Sequence, residues 1–276
     1  MGYVMVLDTE TTGLDKCFCY DISWVIMEKE TGKIIDFKMN VVEQIWHNLP
    51  LFESAYYKEK RQKYIEMMRK HEARMNKWGY IMRELKQDIR KYNVTEVYAY
   101  NSDFDDKVIS YNCDWFKCGN PLDDVAIYDI WGYASQYITN LESYLQFCEA
   151  NERFTDTGNY KGSAEVVYQY LTNNPDFIEE HMGLFDSEIE SEILFLCIGK
   201  GANWAENYKV NKILPRKIGK PFTVKIDGAE VFTGKYIKKY VRNDTYSFTL
   251  EEEGGTKMSH PFLFSQIRCL TPKDKC

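Results

Sequence analysis

Asp8 and Glu10 are the first residues along this chain whose types and spacing suggest chemistry. They follow the apolar, β-prone run Tyr3–Leu7 and precede Thr11, Thr12 and Gly13, the order of a core strand ending in a turn. Two residues apart on an extended segment, their side chains share a face and can bridge one cation. Four carboxylates from different elements could hold two divalent ions about 4 Å apart, the arrangement that activates water for attack on phosphorus. The bland alternative is a solvated strand end. The compact order of apolar strand, acid pair, hydroxyls and glycine argues against it.

The segment Val6-Leu7-Asp8-Thr9-Glu10-Thr11-Thr12-Gly13-Leu14 resembles the first motif of the DnaQ-like, or DEDD, exonuclease superfamily. That family's second motif places an Asn shortly before an aromatic-Asp pair, and Tyr100-Asn101-Ser102-Asp103-Phe104-Asp105 is similar to it. The resemblance makes Asp105 the third ligand, because it follows Phe104. Asp103 and Asp106 compete with it, and as acids near a helix start either could simply complement the helix dipole. In the third motif, His181-Met182-Gly183-Leu184-Phe185-Asp186 fits the branch in which a His precedes the last Asp by five, the DEDDh type.

The resemblance therefore implies a metal-dependent 3′–5′ exonuclease. Asp8, Glu10, Asp105 and Asp186 would hold two Mg²⁺ or Mn²⁺ ions, and His181 would act as general base. Thr11, Asn101 and Phe104 would contact substrate, a single-stranded 3′ end of DNA or RNA cut to nucleoside 5′-monophosphates. The resemblance covers about residues 3–200. Gly158–Lys161 and the stretch from Ser163 through Phe177 look like phage-encoded members. Gly183 stands where many relatives carry Ala, a departure that removes a methyl group and little chemistry. Glu188, Glu190 and Glu192 read as a solvated helix face.

Positioning these residues falls to an α/β framework. Strands are expected at Ser23–Lys29 and Lys33–Val42, joined by the turn Glu30-Thr31-Gly32, then at Val94–Tyr100 and Val125–Ile130. Pro50–Lys91 reads as one long, charged helical insertion. Helices are expected over Asp103–Tyr111, Asn140–Cys148, Ser163–Leu171 and Pro175–Ile198. With the resemblance, this becomes an RNase H-like mixed sheet flanked by helices over residues 1–206. Residues 207–276 form a small all-β module, an SH3-like barrel, with strands at Phe222–Ile226, Val231–Tyr240, Thr245–Leu250 and Phe262–Ile267. Turn signals at Asp227-Gly228, Asn243-Asp244 and Gly254-Gly255 separate them.

The net charge of −7 over 276 residues divides unevenly. Residues 207–276 carry 14 Lys plus Arg against 7 Asp plus Glu, and the first 206 carry 21 against 35. An acidic module that gathers cations beside a basic one that attracts phosphates is a sensible division. In the basic module, Tyr236, Tyr240, Tyr246 and Phe248 would suit base stacking or a small β core equally well. The 8 cysteines form no CxxC pair and read as reduced thiols, and no secretory signal or apolar span is evident, so a cytoplasmic location with no membrane partner is expected. Two rival functions remain at this stage. One is a nucleic-acid-binding or interaction protein with a vestigial nuclease site, and the other a short-oligonucleotide hydrolase on the same fold.

Overall fold

A computed structural model describes residues 2–14, 17–155 and 159–210, and the strands 221–226, 229–242, 245–251, 257–263 and 269–272. It divides into two units, residues 1–138 with 162–211, and residues 139–161 with 212–276.

The first unit is built on a six-stranded mixed sheet. Its strands are β1 (Tyr3–Thr11), β2 (Cys19–Glu28), β3 (Ile34–Val42), β4 (Arg74–Asn76), β5 (Glu96–Ala99) and β6 (Ala126–Asp129), in the order β4-β3-β2-β1-β5-β6. β1, β2 and β3 form the expected antiparallel meander, while β5, β6 and β4 join in parallel. Gly32, at φ +70°, supplies the left-handed residue that the β2–β3 turn requires.

Every residue of β2 is buried, so the sheet is covered on both faces at this strand. Its period-two alternation tells which helix covers which face. Asp21 and Ser23 meet α9 (Gly183–Gly199), whose Gly183 N–H donates to Asp21. Trp24, on the other face, donates its indole N–H to Asp88 of α4 (Trp78–Lys91) at 3.0 Å. α5 (Ser102–Phe116) packs beside α4, its Cys113 sulfur accepting from the Trp78 indole. The core centres on Val4–Leu7, Trp24, Tyr64, Trp78, Tyr98 and Tyr133.

The helical insertion expected over 50–91 is made of the end of α2 (Leu49–Phe52), a 3-10 turn at Lys58–Lys60, α3 (Arg61–Arg69) and α4, with α1 (Glu43–Trp46) before it and the short strand β4 within it. His71, at φ 63°, ends the α3 region, and Arg74–Asn76 then pairs with Asn40–Val42. A charged three-residue edge strand has no alternating apolar pattern to betray it. The helix expected from Pro175 begins only at Gly183, because residues 174–182 form no helix and His181 sits at φ 48°. α6 (Ile130–Tyr137) and α8 (Ala164–Thr172) complete this unit, both packed on α9.

In the second unit, α7 (Glu142–Ala150) is followed by a bridge between Phe154 and Tyr160. Five antiparallel strands form the other part: β7 (Pro221–Ile226), β8 (Ala229–Arg242), β9 (Thr245–Glu251), β10 (Lys257–Leu263) and β11 (Cys269–Pro272), in the order β10-β9-β8-β7-β11. Of the strand expected at Phe262–Ile267, Phe262 and Leu263 end β10 and residues 264–267 lie outside the described residues; β10 from Lys257 and β11 were not expected. The turns expected at 227–228, 243–244 and 254–255 lie outside the described residues. Among the described residues, six cysteines carry free thiols, and no helix is long and apolar enough to cross a membrane.

Candidate active site

The β1–β2 register places Asp8 opposite Ser23 and Glu10 opposite Asp21, so Asp8, Glu10 and Asp21 share the face that α9 covers. α9 brings Asp186 and Glu190 to them, two acids one turn apart on a helix buried around most of its circumference. α5 brings Asp105, whose Oδ1 accepts from Thr9 Oγ1 at 2.7 Å. Asp105 is 3% exposed, whereas Asp103 and Asp106 are exposed, so burial separates the three neighbouring acids. Donor atoms of Glu10, His181 and Asp186 lie within 4.8 Å of one another. The fold therefore brings Asp8, Glu10, Asp105, His181 and Asp186 together from β1, α5, α9 and the lead-in to α9.

Burial and mutual repulsion make these acids hard to ionise together. Burial first, then the Asp21 charge, pushes Glu10 up to about 8, although the Tyr20 hydroxyl donates to it. Asp105 rises to about 7 through burial, opposed by the Thr9 hydrogen bond. Burial, followed by the Glu179 and Glu10 charges, pushes Asp186 to about 9. Asp8 is held well above the usual carboxylate range by burial and then by Asp105 and Glu190. His181 moves the other way: burial, then Lys60, lowers it, so its imidazole is neutral at neutral pH.

Asp8 Oδ2 and Asp186 Oδ1 are buried and have no hydrogen-bond partner. Such oxygens are costly unless a cation takes them up, and hard carboxylate donors suit Mg²⁺ or Mn²⁺. The donor set therefore fits the divalent ions that the sequence led us to expect.

The residues expected to touch substrate lie around this cluster. Thr11 is half-buried at the end of β1, its hydroxyl donating to the Gly13 carbonyl at 3.2 Å. Asn101 is exposed and left-handed at φ 64°, and Phe104 is half-buried in the first turn of α5. None of the carboxylates lines a separate cleft of about 840 Å³ bordered by Lys77, Tyr80, Arg83 and Asn120.

The chain is similar in structure to exonuclease I. The Escherichia coli enzyme in complex with a dA16 oligonucleotide matches at 11% identity and a TM-score of 0.40, over 99% of this chain and 66% of that one. The zinc-bound E. coli complex with single-stranded DNA matches at 10% identity and a TM-score of 0.44, over 99% and 65%. This chain thus spans slightly less than two thirds of the length of those exonuclease I chains. No protein-family profile matches the chain, and no curated protein does.

Sequence reasoning missed three acids of the cluster. Glu190, expected on a solvated face, is 3% exposed and accepts from the Tyr100 N–H at 3.1 Å. Its place four residues after Asp186, among Ile189, Ile193 and Leu194, was the available signal. Asp21 is fully buried and accepts from Tyr64, Ser23 and Gly183. It is the one acid within the otherwise uncharged run Cys17–Met27. Glu179, raised to about 7 by burial and then Glu165, places Oε2 3.8 Å from His181 Nδ1. Gly183 also proves more than a missing methyl. A Cβ there would sit 3.0 Å from Ser23 Cβ and 3.2 Å from Asp21 Oδ1.

Proposed function

We propose that the chain is a metal-dependent 3′–5′ exonuclease of the DEDDh type, releasing nucleoside 5′-monophosphates from a single-stranded 3′ end of DNA or RNA. The observation that carries this reading is the pair of partnerless buried oxygens, Asp8 Oδ2 and Asp186 Oδ1, within a cluster that adds Glu10, Asp105 and a neutral imidazole. Asp8, Glu10, Asp105 and Asp186 would hold two Mg²⁺ or Mn²⁺ ions, which supply Lewis-acid polarisation and neutralise charge on the phosphoryl oxygens.

His181 takes a proton from the attacking water at an imidazole nitrogen. The water oxygen bonds to phosphorus as the P–O3′ bond breaks, and the O3′ of the shortened strand leaves with the electron pair and picks up a proton. Thr11, Asn101 and Phe104 hold the terminal nucleotide. The RNase H-like architecture of residues 1–206 and an SH3-like basic module over 207–276 belong to the same reading, with the module guiding the strand.

Digestion of 3′- and 5′-labelled oligonucleotides in Mg²⁺ and in Mn²⁺, with product end groups identified, tests the proposal. Mononucleotide 5′-phosphates released from the 3′ end, lost in Asp8→Ala, are the expected result. Binding without metal-dependent cleavage of any DNA or RNA would overturn it and favour a vestigial site.

A further inference from the structure

The segment just before α9 carries His181, and one short stretch of the insertion, residues 57–64, grips it. Tyr57 stacks on the His181 imidazole, ring centroids 4.2 Å apart and planes at 12°. Lys63 Nζ lies 2.6 Å from Glu180 Oε2, Lys60 Nζ lies 3.8 Å from the same oxygen, and Lys63 also sits 5.1 Å from the Phe185 ring centroid. Tyr64 donates to Asp21 Oδ2 at 2.7 Å, and that oxygen accepts the Gly183 N–H at 2.9 Å. Tyr57 stands just before the 3-10 turn Lys58–Lys60, and Lys63 and Tyr64 follow in the first turn of α3, so one continuous stretch carries all of these contacts.

These contacts answer two local problems. His181 holds a left-handed φ of 48°, which a non-glycine residue keeps only when its surroundings over-determine it. Helix α9 has no side-chain bond from its N-cap, Met182, so the Gly183 N–H would be an orphan without Asp21. The insertion supplies the ring for the first and orients the carboxylate for the second.

We propose that the 57–64 stretch of the insertion is a clamp that fixes His181 against the carboxylates, with Tyr57, Lys63 and Tyr64 as positioning residues. This rests on the exonuclease reading for its chemical meaning. A base displaced by about 1 Å loses on the order of 10²-fold in rate while substrate binding is untouched.

The test uses the full chain with isotope-labelled histidine, its His181 ring signal assigned by loss in His181→Gln. In EDTA without nucleic acid, that signal should carry the ring-current shift of Tyr57, lose it in Tyr57→Ala and keep it in Tyr57→Phe. Tyr64→Phe should speed hydrogen exchange at the Gly183 amide. On a 3′-labelled oligonucleotide in Mg²⁺, Tyr57→Ala should lower kcat by about 10²-fold with KM changed by less than about twofold, and Tyr57→Phe should restore it. An unchanged His181 ring signal in Tyr57→Ala, or an unchanged kcat, overturns the clamp. If the wild-type chain cleaves no oligonucleotide, the exonuclease reading falls and the ring signal alone decides the clamp.

Discussion

Thr9 donates its hydroxyl to Asp105 Oδ1 from the face of β1 opposite Asp8 and Glu10. It therefore orients a proposed ligand without being one. Thr9→Val keeps the shape and removes that bond, and a partner of this kind is worth about 10–100-fold in metal affinity or activity. Titrating Mn²⁺ into the variant should show that weakening, while Asp103→Asn and Asp106→Asn, both at exposed positions, should bind metal like the parent. His181→Ala should lower kcat by roughly 10²–10⁴-fold. Because burial lowers the His181 pKa, the acidic limb of kcat against pH should fall below the ordinary histidine range. A limb within or above that range would remove His181 as the base. Asp105 was legible in the sequence by its place after Phe104. Glu190 was not, because a charge run on a helix is usually solvated and only the surrounding helices and sheet show this one to be buried.

Among the elements, α9 packs against β2, and its first residue, Gly183, lies close to Ser23 and Asp21 of that strand. Gly183→Ala forces a methyl group to within 3.0 Å of Ser23 Cβ and should cost about 1–3 kcal/mol, with each kcal/mol lowering Tm by about 2–4 °C. At Gly199, the last residue of the same helix, nothing lies within 4 Å of an added Cβ, so Gly199→Ala should be neutral or stabilising by up to about 1 kcal/mol. Thermal melts of the two variants check both signs, and equal effects would refute the close-approach argument. The meander, α4, α5 and the strands β7, β8 and β9 were legible because apolar periodicity and turn residues mark them. β4 was not, since Arg74–Asn76 is a strand only through its pairing with Asn40–Val42.

At the scale of the whole molecule, the acids gathered in one place set the response to pH. Glu10 rises from 4.5 to about 8, Asp105 from 3.8 to about 7 and Asp186 from 3.8 to about 9, so the folded chain holds these protons more tightly than the unfolded one. Their contribution to stability is thus fully present below about pH 4 and is lost as pH rises towards about 9. In EDTA, Tm should fall across that window, and saturating Mg²⁺ or Mn²⁺ should flatten the fall by binding the ionised cluster. A metal-free Tm that rises from pH 5 to 8 would contradict this. The basic surplus of residues 207–276 leads to a separate expectation. Reversing Lys238 and Lys239 to Glu should weaken single-strand binding uniformly across sequences and reduce its salt slope by about 1 for each phosphate no longer neutralised. The sequence by itself determined the strand that carries Asp8 and Glu10 and the unequal charge of its two ends, and its resemblance to the DEDD exonucleases named the acids and histidine to expect beside them. These are local matters of residue type, period and spacing. Only the tertiary structure decided that Glu190, Asp21 and Glu179 join the cluster, that a side chain at Gly183 would crowd Ser23 and Asp21, and that a charged insertion holds His181. Each of those depends on which distant surfaces meet, and burial of a charge beside other charges is a property of that meeting rather than of any one segment.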